Sequence, residues 1–207
     1  MPEEHEKPWT PLSPEEVARV FRGAPFSWWL AGGYAIERFV GRPFRPHADI
    51  DVLVLRRDHD ALRRHLAQWD CWAADPPGRL RPWPLNEALA QPIHDIWCRR
   101  APDVPWSLQL MLDESEGGED WRSRRDPAIG RPIAELGAPD AAGIPLLAPE
   151  IQLFYKAKAP RPKDEIDFAV AAPLLAPAQS AWLRWAIETT HGPAHPWLQK
   201  LDPPRPA

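Results

Sequence analysis

Twenty-eight prolines divide this 207-residue chain, and they stand between periodic segments without a repeating register. Each proline fixes φ, removes a backbone donor and biases the residue before it away from helix. The chain is thereby confined to many short elements, and fibrous or repeat architectures are excluded. Its length is enough to bury one good core with a small second lobe.

Between the prolines, Ser13-Pro14-Glu15-Glu16 reads as a capping box with proline at the first helical position, which predicts a helix over 14–22. Residues 26–31 are apolar and aromatic and run into Gly32-Gly33, which predicts a buried strand, a tight turn and a helix carrying Ile36, Phe39 and Val40 until Gly41 and Pro43. Residues 49–55 (DIDVLVL) read as the next strand, with Asp49 and Asp51 on one face. Asp58 is placed to cap a helix bearing Leu62, Leu66 and Trp69. The stretch 71–90 is broken by Pro76, Pro77, Pro82 and Pro84 and reads as irregular. Strands are expected at 93–98 and 106–113, the second turning at Gly117-Gly118 into a partner near Trp121. From Pro149 onward the pattern is helical between proline breaks. The fold class is therefore α/β (α+β): a mixed β-sheet core over 1–147 flanked by helices, and a C-terminal helical lobe over 148–207 whose last residues, DPPRPA, are expected to be disordered. Trp28, Trp29, Trp97, Trp106 and Trp121 fall in strands and read as core, while Trp69, Trp72 and Trp83 leave open a stack on an adenine or a flat acceptor.

The net charge of -4 and pI near 6.0 argue against a broad duplex-binding surface and make nucleic acid an unlikely partner. The polar start MPEEHEKPWT and the lack of a long apolar run point to a soluble protein without a membrane partner. Cys71 and Cys98 are too few for a disulfide framework and read as reduced thiols, which makes the cytoplasm the expected compartment.

Two carboxylates one residue apart on a strand suit hard divalent cations such as magnesium, which take oxygen donors and can clamp both attacking and leaving oxygens of a phosphoryl group. A glycine pair where a strand enters a helix lets backbone amides approach a phosphate at a helix N-terminus. Either element alone is common, and an Asp-x-Asp pair by itself also reads as a solvated strand end. The two together, in LAGGYAIERFVGRPFRPHADIDVLVLRRD, resemble the polymerase-beta-like nucleotidyltransferase superfamily. The run Arg45, His47, Asp49, Asp51 is most similar to the Arg-x-His-x-Asp-Ile-Asp signature of lincosamide nucleotidyltransferases and aminoglycoside 2''-adenylyltransferases.

The resemblance implies a nucleotidyltransferase core in which Asp49 and Asp51 hold two magnesium ions and Gly32 and Gly33 cradle the phosphates of a nucleoside triphosphate. It also implies a third carboxylate that binds metal or activates the acceptor; Asp113, at the end of WSLQLMLD, is the candidate, with Glu114 turned to the opposite face. The alternative reading of Asp113 is the opening of the acidic turn DESEGGED. Arg45 is the better phosphate ligand because its charge does not titrate away, whereas His47 suits either a phosphate contact or a structural hydrogen bond. Lys156, Lys158 and Lys163 match the lysines of the family's helical lobe and would bind the triphosphate; otherwise they are solvated surface lysines. Asp164 and Asp167 read as helix-capping and pairing residues, His94-Asp95 as neighbours facing opposite ways, and Arg122, Arg124 and Arg125 as a cleft wall or a charged edge strand.

The function implied is magnesium-dependent transfer of a nucleoside monophosphate, AMP from ATP, to a hydroxyl of a small molecule such as an aminoglycoside or lincosamide antibiotic. Two other classes stay open: a regulatory, antitoxin-like partner that keeps the fold without catalysis, and nucleotidyl transfer onto a macromolecule. Clustered aspartates weigh against a dead site, because a binding module has no use for carboxylates that repel one another.

Overall fold

The structure, a computed structural model, describes residues 8–201; the tail DPPRPA, expected to be disordered, lies outside the described residues. In chain order the strands are β1 (Trp28–Ala31), β2 (Asp51–Leu55), β3 (Asp70–Ala74), β4 (Leu80–Pro82), β5 (Asp95–Arg99), β6 (Leu108–Glu116), β7 (Asp120–Arg122), β8 (Gly130–Pro132), β9 (Gly137–Pro139) and β10 (Pro145–Leu147). The helices are α1 (Pro14–Val20), α2 (Gly32–Val40), α3 (His59–His65), α4 (Pro149–Ala157), α5 (Pro162–Ala171), α6 (Pro177–His191) and α7 (Pro196–Leu201).

The strands form one sheet in the order β4-β3-β5-β6-β2-β1-β10-β9, with β7 pairing β6 and β8 off that path. Its connections are mixed: β1 and β2 are antiparallel, whereas β2 with β6 and β1 with β10 are parallel. Because side chains alternate along a strand, the central strands feed two separate cores. Leu30, Val52, Val54, Leu110 and Leu112 face α1 and α3, packing on Val17, Phe21, Leu62 and Leu66. Ala31, Leu53, Leu55 and Met111 face the other way, onto Ile36 of α2 and Phe154, Phe168, Leu183 and Trp197 of the C-terminal helices. The C-terminal helices therefore share a core with the sheet and fix one wall of whatever site lies at the strand ends.

The capping box forms as its residues require: Ser13 N donates to Glu16 Oε2 at 2.8 Å and Glu16 N to Ser13 Oγ at 3.2 Å, a cap contributing about 1 kcal/mol. The stretch expected to be irregular is not so, since β3 and β4 lie within it and join the sheet. β4 is the terminal strand of the order, and a sheet edge tolerates Pro82 because no neighbour needs its missing N–H. Asp49 also departs from expectation: β2 begins at Asp51, so Asp49 stands in the loop two residues before it. None of the helices among the described residues is long and apolar enough to cross a membrane.

Candidate active site

At the point where β1 ends and β2 begins, Ala31 pairs with Asp51 and Asp51 pairs with Gln109 of β6. Gly32 follows immediately as the first residue of α2 with φ +67°, a left-handed conformation that L side chains rarely adopt. A Cβ on Gly32 would collide with Asp51 Oδ2, and one on Gly33 would collide with Arg45 Nη2 and His47 Nδ1. The two glycines thus let the Asp51 carboxylate and the loop carrying Arg45 and His47 close against the first turn of α2. Gly32 N donates to the buried Gln152 Oε1 at 2.8 Å, which ties that turn to α4.

A cleft of about 340 Å³ opens here, large enough for a polyphosphate and a reacting hydroxyl, with the remainder of any larger ligand reaching over its rim. Gly32, Gly33, Asp49 and Asp51 line it, together with Lys156, Lys158, Lys163, Asp95, Arg124 and Arg125. Most residues singled out from the sequence therefore converge from separate elements. Lys163 Nζ is 3.9 Å from Asp49 Oδ2. Lys156 Nζ lies 3.1 Å from Asp164 Oδ1 and 2.8 Å from Asp167 Oδ2, so it reaches the cleft as part of a buried ionic network. Arg45 lines the cleft too, but its guanidinium forks onto Asp167 at 2.5 and 2.8 Å. That fork clips the Asp49 loop to α5, so Asp167 pairs across elements and not within its own helix. Asp164 does cap α5, accepting from Arg161 N at 3.0 Å. Against the raising effect of burial, the Arg161 hydrogen bond and the Lys156 charge hold its carboxyl at about 2.

Asp51 is the perturbed carboxylate. Burial raises its pKa to about 7, with the Asp49 and then the Asp95 charge pushing the same way and Lys156 and Lys163 opposing. Asp49 and Asp51 are two neighbouring hard-oxygen donors of the type a divalent cation takes, but no group of three or more His, Cys, Asp or Glu side chains that could hold a metal ion gathers among the described residues. Asp95 stands at the start of β5, paired with Met111 in register. Gln109 Nε2 donates to its Oδ1 at 3.4 Å, and His94 Nε2 lies 3.3 Å from its Oδ2. The expectation that His94 and Asp95 diverge fails because β5 begins at Asp95; His94 precedes the strand, escapes its alternation, and lines the same cleft.

Asp113 is placed elsewhere. It pairs in register with Leu55, four residues along β2 from Asp51, roughly 13 Å at strand rise. Its side chain is fully buried. Trp121 Nε1 donates to Oδ2 at 2.7 Å, Tyr155 OH to the same oxygen at 2.5 Å, and Arg124 Nη1 to Oδ1 at 2.5 Å. Burial, then the Asp113 charge, lifts the Tyr155 hydroxyl well above its ordinary range. Both Asp113 oxygens are spent on the core, and Asp113 does not line the cleft, where Asp95 and Asp164 join Asp49 and Asp51. His47 is a second correction. It does not line the cleft; its Nε2 meets Glu37 Oε2 at 2.8 Å and its ring packs 4.3 Å from that of Tyr34, so it backs α2 instead of reaching a phosphate. Nor do Trp69, Trp72 or Trp83 line the cleft; Trp69 and Trp83 are buried. Of the three arginines near β7, Arg124 and Arg125 form the expected wall, while Arg122 pairs with Glu116 at 2.7 Å.

Residues 15–76 match the model of a family described as aminoglycoside-2''-adenylyltransferase. Among solved structures, the lincosamide antibiotic adenylyltransferase LnuA with lincomycin bound aligns with a TM-score of 0.53 at 14% identity, over 78% of this chain and 95% of that one. ANT(2'')-Ia in complex with adenylyl-2''-tobramycin aligns with a TM-score of 0.51 at 16% identity, over 84% of this chain and 94% of that one. No curated protein matches the chain.

Proposed function

Because this chain has the nucleotidyltransferase fold and carries, at its first strand-to-helix turn, a cleft lined by aspartates and by basic side chains, we propose that it transfers a nucleoside monophosphate, AMP from ATP, to a hydroxyl of a small molecule. The observation that carries the reading is the meeting of Asp49, Asp51 and Asp95 with Gly32 and Gly33 in one cleft, with the Asp51 carboxyl raised to about 7 by burial and then by the Asp49 charge. Small antibiotics are acceptors named with the two aligned structures, which supports a small-molecule acceptor here.

In this mechanism Asp49 and Asp51 would hold magnesium, which when bound neutralises charge on the transferring and leaving phosphoryl oxygens. Gly32 and Gly33 admit the triphosphate to the N-terminus of α2. Lys163 stands beside Asp49, and Lys156 and Arg45 are tied to the α5 carboxylates Asp164 and Asp167, which fixes their place at the cleft. Asp95, oriented by Gln109 and His94, accepts the proton from the acceptor hydroxyl. The hydroxyl oxygen forms a bond to the α-phosphorus as the bond from that phosphorus to the bridging oxygen breaks. Pyrophosphate leaves with that electron pair.

The test is incubation of the protein with magnesium, α-phosphate-labelled ATP and a cell extract separated into small-molecule and macromolecular fractions. Label entering the small-molecule fraction as a new species supports the reading. Label confined to RNA or protein would transfer the activity to a macromolecular acceptor, and no transfer at all would favour a non-catalytic partner.

A further inference from the structure

Gln152 lines the cleft and takes no part in the transfer steps above. It stands in α4 and is 4% exposed. Its Oε1 accepts from Gly32 N at 2.8 Å, and because a backbone N–H can only donate, that bond decides which way the carboxamide is turned. The other end, Nε2, carries two N–H donors. Among the described residues Nε2 has no hydrogen-bond partner, yet it is not one of the sealed side-chain atoms left without one. Its open side is therefore the cleft. A buried amide donor costs stability unless water or a ligand takes its hydrogen bond, so this one marks a place for an acceptor atom.

The surroundings of Gln152 say what kind of acceptor that is. Gly32 opens α2, a helix whose N-cap, Ala31, makes no side-chain cap, so the amides of its first turn suit an anion. A Cβ on Gly32 would collide with Asp51 Oδ2, which sets the Asp51 carboxylate and the Gln152 carboxamide against the same residue. Gly32 N is held by Gln152 and is not available to a phosphate. The carboxamide consumes that donor and presents its own in exchange, from the C-terminal helices. We propose that Gln152 is a nucleotide-binding residue: Oε1 fixes the Gly32 turn, and Nε2 donates to a non-bridging oxygen of the triphosphate seated on the N-terminus of α2. The inference rests on the transferase reading above and gives that reading a neutral donor besides its lysines.

The experiment titrates the full chain, labelled with nitrogen-15, with α,β-methylene ATP in the presence of magnesium and follows the Gln152 side-chain amide signals, assigned by their absence from the Gln152→Met spectrum. They are expected to move downfield as the analogue saturates. Calorimetry should show the analogue weakened about tenfold to a hundredfold, as for a hydrogen bond to a charged group, both in Gln152→Met and in Gln152→Glu. The glutamate still offers Gly32 N an oxygen, so its unfolding midpoint should match the wild type while that of Gln152→Met falls. Two results overturn the proposal: side-chain amide signals that stay in place at saturation, even where the variants lose affinity, or variants that bind the analogue within twofold of the wild type. The first would leave Gln152 acting only through the Gly32 turn. If the wild type does not bind the analogue at all, the transferase reading fails first and this one with it.

Discussion

Asp51 and Asp113 are the same residue type on the same face of neighbouring parallel strands, yet the protein treats them in opposite ways. Asp113 is sealed in the core with three donors on its two oxygens, the arrangement in which a buried charge is tolerated. Asp51 sits at the strand end beside Asp49, in the cleft that Asp95 also lines, and its carboxyl is lifted to about 7. A carboxyl with a strongly raised pKa in a cleft is a candidate functional group, and the transferase reading proposed above gives Asp51 that role. On that reading, the contrast separates the carboxylate that holds the fold from the one proposed to act.

The largest expected effect is on the functional side. Asp51→Asn should lower turnover by about ten-thousandfold, the several kcal/mol a metal supplies to transition-state charge, with an unchanged circular dichroism spectrum. Equal loss of activity and structure would erase the contrast. On the structural side, Asp113→Ala strands the buried Arg124 and Tyr155 and should cost about 4 kcal/mol in urea unfolding. A variant that stays stable but loses catalysis would return Asp113 to the active site. Asp95→Asn should then reduce kcat about a hundredfold to a thousandfold, as loss of a general base does, without weakening nucleotide binding; full activity would remove Asp95 from the mechanism.

The smallest effect sharpens the electrostatics. The Asp164 carboxyl is held at about 2 in the fold, below its ordinary value near 3.8. Its stabilisation is therefore complete above pH 4 and lost as pH falls toward 2. Asp164→Asn should cost about 2 kcal/mol at pH 7, and the gap to wild type should close between pH 4 and pH 2. A constant gap across that range would mean that the carboxylate's charge is not what stabilises α5.

The glycine pair and the two aspartates were legible because their chemistry is local: a strand, a turn and a helix within a few residues set Gly32 against Asp51. Asp95 was not, because it reaches the site only through the pairing of β5 with β6, and nothing near it in sequence announces that register. Asp113 misled for the same reason. Alternation put it on the correct face, but Trp121 and Tyr155, which seal it, arrive from β7 and α4. β4 was hidden by Pro82, a breaker inside a sheet but permitted at its edge. Gln152, which holds Gly32 N, has no sequence signal beyond its place on a helix.

Calorimetric titration of ATP with and without magnesium, on wild type, Asp51→Asn and Asp113→Asn, tests the central division most directly. The account predicts magnesium-dependent binding by the wild type, its loss in Asp51→Asn, and its retention in whatever fraction of Asp113→Asn remains folded. Magnesium-independent binding that survives in Asp51→Asn but disappears in folded Asp113→Asn would contradict it.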